Sequence, residues 1–183
     1  MDNTDTNINH LESGLKRWII EAAFAIMVIS AICTTTSILN WMRAEQPLVN
    51  ALLQTLGMVV IYWAYLRGMK KLSRPLTTLW WLAITLNLLG FLCSAFPAVD
   101  SVFGLPVALA LQPVYLPLGT GLLMLYRGRL MHTGIWMIVR ILVVSYMPIF
   151  YDVLQPHFPL LLLDVITVGV ELIYAWVLRR ALV

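Results

Sequence analysis

Asp164, Thr167, Glu171 and Tyr174 are spaced three, four and three residues apart. On a helix that spacing places all four on one face. Carboxylates on an otherwise apolar helix can bind a cation, exchange a proton or neutralise a buried base. The chain supplies such a base in Arg140, the one basic residue inside an apolar stretch. Arginine keeps its charge in a protein. At mid-span it costs about 2.5–3.5 kcal/mol on insertion scales, so it requires a partner. Glu171 is the best placed. Glu21 follows Arg17 by four residues, a spacing that allows an ion pair. Asp164 is left as the acid without an obvious cation. It is expected to be neutral, to bind a cation or to exchange a proton. Along a helix Asp164 and Glu171 are about 10.5 Å apart, which is long for joint work on one bond.

A second set of residues points to a site at the middle of the chain. Gln112-Pro113-Val114-Tyr115-Leu116-Pro117-Leu118-Gly119-Thr120-Gly121 has two prolines four apart and then two glycines. Each proline removes a backbone donor and clashes with the carbonyl four residues back. A kink or break at Pro113, Pro117, Gly119 and Gly121 is expected, and broken helices often build substrate sites in transporters. Gln112 and Asn87 offer further polar groups. Weaker polar stripes are Asn50, Gln54 and Gly57, and Asn87, Gly90 and Ser94. Small and hydroxyl residues of this kind mostly serve close helix packing.

Other chemistries lack their residues. The three histidines, His10, His132 and His157, are too scattered to share a metal or ligate a haem. There is no HExxH, GxSxG or phosphate-cradling Gly-Lys loop. Cys33 and Cys93 make neither a disulfide framework nor a zinc set. No enzyme activity, metal or cofactor is expected.

Six apolar segments must position these residues, over about 18–41, 48–66, 75–96, 106–126, 135–151 and 158–178. Of twelve Lys and Arg, ten lie before the first segment, in the second and fourth gaps, or after the sixth. Arg43 and Arg140 are the exceptions. Positive loops stay cytoplasmic, so this alternation predicts an N-in/C-in, multi-pass protein of the cytoplasmic membrane. The segments are too long and too evenly apolar for barrel strands, so helices are expected. Short gaps make successive helices antiparallel neighbours. Ser73 and Pro75 should start the third helix. Trp18 and Trp41 bracket the first segment like headgroup-layer aromatics. Tyr62, Trp63 and Tyr65 close the second, Trp80 and Trp81 stand near the inner end of the third, and Tyr174 and Trp176 end the sixth.

Composition agrees. Of 183 residues 61% are hydrophobic and 11% charged, against about 25% charged in soluble domains. Mean hydropathy is +0.85. The basic pI near 9.0 reflects residues at segment ends, which fits anionic lipid headgroups rather than nucleic acid. The expected organisation is a polar cytoplasmic tail, 1–17, and one all-α six-helix transmembrane domain, 18–180. The expected function is a small-molecule or ion transporter, or the membrane-embedded binding subunit of one. The candidate binding residues are Arg140, Asp164, Glu171, Gln112, Asn87 and Thr167. The alternative is a non-catalytic accessory or assembly subunit of a larger membrane complex. The expected partners are the lipid bilayer and a second copy or a membrane-complex subunit.

Overall fold

A computed structural model describes residues 16–33, 47–68, 73–154 and 160–183. They form six helices and, among the described residues, no strand. In chain order these are α1 (Arg17–Cys33), α2 (Pro47–Gly68), α3 (Arg74–Ala95), α4 (Pro97–Leu125), α5 (Arg129–Leu154) and α6 (Leu160–Leu182). The protein is all-α. Residues 1–15, the run Thr34–Ser37, Trp41, Arg43 and His157 lie outside the described residues. So do the side chains of Cys33, Asn50, Gln54, Pro148 and Asp164.

Each helix packs on the next in sequence, and α6 returns to pack on α1. A further contact between α2 and α6 crosses the ring. α2 is the hub: Ile61, Tyr62, Ala64 and Tyr65 have no exposed surface. The exterior is strongly apolar. Leu105 is 71% exposed and Met124 77%, with Ile29, Leu88, Phe103, Leu109 and Val165 among the other exposed large side chains.

Local chemistry sets the helix ends. Ser73 caps α3 in extended backbone, but its side chain makes no capping bond. Pro75 lies in the first turn, where its missing N–H costs nothing. One residue, Phe96, separates α3 from α4, and its N–H closes α3 on the Leu92 carbonyl at 2.9 Å. Pro97 then opens α4, with Asp100 in the first turn, where a carboxylate favours the helix dipole. The third gap is thus helical rather than a loop, and α4 runs 29 residues. Gly128, between α4 and α5, has φ 68°, a left-handed conformation that glycine takes without steric cost.

The expected break in α4 is displaced. Pro113, Pro117, Gly119 and Gly121 all lie within helix. The bend of 45° falls between the Pro97–Val107 and Leu109–Leu125 arms. It lies just ahead of Leu109, whose carbonyl is the one that the Pro113 ring would meet. The glycines have another use. A Cβ on Gly134 would stand 2.5 Å from the Gly119 carbonyl oxygen, and one on Gly119 would stand 2.8 Å from Ile138. The two glycines let α4 and α5 approach at backbone distance. Gly57 does the same for α2 against Ala23 and Met27 of α1.

Among the described residues, α3 alone is by itself long and apolar enough to cross a membrane, with mean hydropathy 1.7. The two arms of α4 qualify together as a second bent span.

Candidate functional site

Arg140 and Glu171 each stand about 16 Å in from the basic ends of α5 and α6, at 1.5 Å per residue. The structure brings them together. Arg140 Nε donates to both Glu171 carboxylate oxygens at 2.9 Å. The side chains retain only 20% and 15% of their exposure. Charge-assisted bonds of this kind are about twice as strong as neutral ones. The guanidinium also lies over the Tyr174 ring, 5.3 Å from its centroid. A desolvated cation on an aromatic face gains about 2 kcal/mol. Glu171 and Tyr174 belong to the polar stripe of α6, and both face the interior. Thr167 is half-buried and has an interaction of its own.

From Tyr174 the polar contacts continue through the core. Its hydroxyl meets that of Tyr62 at 2.6 Å. The Tyr62 ring stands 6.0 Å from Tyr115, whose hydroxyl accepts a bond from Asn87 Nδ2 at 2.5 Å. Asn87 also donates to the Ala83 carbonyl at 2.7 Å. Trp80 Nε1 donates to the Tyr62 carbonyl at 2.8 Å, and its ring packs edge-on to Tyr62 and stacked on Tyr65. The Tyr65 hydroxyl donates to the Leu178 carbonyl at 3.1 Å and lies 3.0 Å from Thr133 Oγ1. Buried polar groups need such partners, since an orphaned one costs about 1–3 kcal/mol.

The aromatic residues at the basic segment ends therefore divide in two. Tyr62, Tyr65, Trp80 and Tyr174 are fully buried, whereas Trp18, Trp63, Trp81 and Trp176 are exposed. The buried set sits on the faces that helix periodicity turns inward.

Glu21 pairs with Arg17, as its spacing allows, and more closely with a second arginine. Arg179 of α6 donates to it through Nε at 2.6 Å and Nη2 at 2.7 Å. Arg17 stays 3.7 Å away and largely exposed. A fork-to-carboxylate pair fixes geometry better than a single long contact, so Glu21 ties α1 to α6. Gln112 is half-buried on α4 and has an interaction of its own. Cys93 is a buried free thiol. Among the described residues no group of three His, Cys, Asp or Glu could hold a metal ion.

No protein-family model, curated protein or solved structure matches this chain.

Proposed function

We propose that the chain is a six-span protein of the cytoplasmic membrane with both termini inside. We further propose that it serves as a non-catalytic accessory or assembly subunit of a larger membrane complex. One observation carries the reading: polar and charged groups answer one another inside, while large apolar side chains cover the outside. Apolar exteriors of this extent fit lipid or partner helices. An interior whose hydrogen-bonding capacity is spent on itself suits a scaffold better than a passage for solutes. The alternating positive gaps support the orientation.

A second reading has its own observation. The 45° bend in α4 and the buried Arg140–Glu171 pair fit a small-molecule or ion transporter, or the binding subunit of one. In that reading Arg140, Glu171, Asn87, Gln112, Thr167 and Asp164 contact the solute as the pair opens.

Purification in mild detergent at native expression separates the two. The subunit reading expects a stoichiometric protein partner and a particle heavier than the single chain. A lone chain stabilised by a small solute, with no partner, favours transport.

A further inference from the structure

A cleft of about 460 Å³ opens at the basic end of α5 and α6. Arg129, His132 and Trp136 of α5 face Trp176 and Arg180 of α6 across it. Arg129 Nη1 donates to the Arg180 carbonyl at 2.9 Å, which ties the guanidinium to the end of α6. The Arg180 guanidinium lies 5.2 Å above the Trp176 ring. Among the described residues, neither arginine has a carboxylate partner. Arg129 opens α5, where the helix dipole favours an anion, and Arg180 lies in the last turn of α6; together, with no counter-charge, they make an anion site.

The surface running away from the cleft is of another kind. Leu162, Ile166, Gly169, Ile173, Trp176 and Arg180 recur at helical spacing along α6. All are exposed except Gly169, which is half-exposed with open space around its Cα. This is an apolar strip that begins at the cations and ends about one bilayer core away. An inorganic anion would use the cations only. A phospholipid would use both, with its acyl chain on the strip and tryptophan at the headgroup level.

We propose that this cleft binds the phosphate of an anionic phospholipid, with an acyl chain laid along the exposed face of α6. The inference rests on the membrane reading above. Basic pockets between helices on the cytoplasmic side suit such headgroups.

The test uses the full chain in mild nonionic detergent, with native mass spectrometry and added phosphatidylglycerol or phosphatidylcholine. Phosphatidylglycerol is expected to survive as a bound adduct, in about fivefold excess over phosphatidylcholine. Arg129→Gln/Arg180→Gln should lower it about tenfold. Arg67→Gln, which removes another arginine stacked on a tryptophan, should leave it unchanged. Inorganic phosphate alone should give no thermal shift. Equal retention of the two lipids, undiminished binding in the folded double variant, or a phosphate shift matching the lipid's would overturn the proposal. Should the double variant not fold, Arg180→Gln alone decides, because that side chain is exposed. Recovery of the wild type in the soluble fraction after lysis without detergent would defeat the membrane reading as well. Membrane-bound protein without lipid selectivity would defeat this inference alone.

Discussion

Glu171→Ala is the sharpest perturbation of the core. It leaves Arg140 mostly buried, charged and without its carboxylate, because arginine cannot discharge. Breaking a buried pair from one side costs about 3–5 kcal/mol. The cation–aromatic contact with Tyr174 remains and offsets part of that, so a loss of about 3 kcal/mol is expected. The reverse change is milder. Arg140→Met leaves a carboxyl that can take up a proton, and a loss of about 1–2 kcal/mol follows from the remaining unpaired group. Arg140→Met/Glu171→Leu removes both charges together and should return close to wild type, as apolar replacements of buried pairs do. Reversible denaturation in detergent, followed by the fluorescence of the seven tryptophans, reads all three. A loss below about 1 kcal/mol for Glu171→Ala, or a double variant equal to the sum of the single ones, would refute this account of the pair.

Two further outcomes follow from the packing. Tyr62→Phe removes the hydroxyl that meets Tyr174 at 2.6 Å and should cost about 1–3 kcal/mol. Tyr62→Phe/Tyr174→Phe should recover part of it, and a further additive loss in the same denaturation assay would count against the contact. Gly134→Ala places a methyl group 2.5 Å from the Gly119 carbonyl oxygen and should cost about 1–3 kcal/mol by overpacking. Gly169→Ala meets open space and should gain about 0.5–1 kcal/mol from helix propensity. Equal melting temperatures for the two variants would contradict the described approach of α4 to α5.

The helices were legible because each apolar run is long and ends in basic, proline or glycine residues. Arg140 and Glu171 were legible as a pair because alternating gaps assign each residue a depth, and depth alone matched them. The closer partner of Glu21 was not. Arg179 lies 158 residues away, and only the closure of α6 on α1 puts the two together, whereas Arg17 was near in sequence. The tyrosine and tryptophan cluster was half legible. Aromatic residues near basic ends fit a headgroup belt, but adjacent positions such as Trp80 and Trp81 point to opposite environments, one buried and one exposed. The bend in α4 was legible in kind and displaced in place, because a proline acts on the turn before it. Gly134 carried no signal of its own, since its use depends on Gly119 in the neighbouring helix.

The central claim is that six spans place the basic gaps inside. Single cysteines introduced in a chain carrying Cys33→Ser and Cys93→Ser test it, using a membrane-impermeant thiol reagent on intact cells. Asp100→Cys, in the first turn of α4 next to the Phe96 junction with α3, should label at once. Lys70→Cys and Arg127→Cys, in the second and fourth gaps, should label only after permeabilisation. Labelling of Asp100→Cys and Arg127→Cys from the same side would contradict the topology and everything inferred from residue depth.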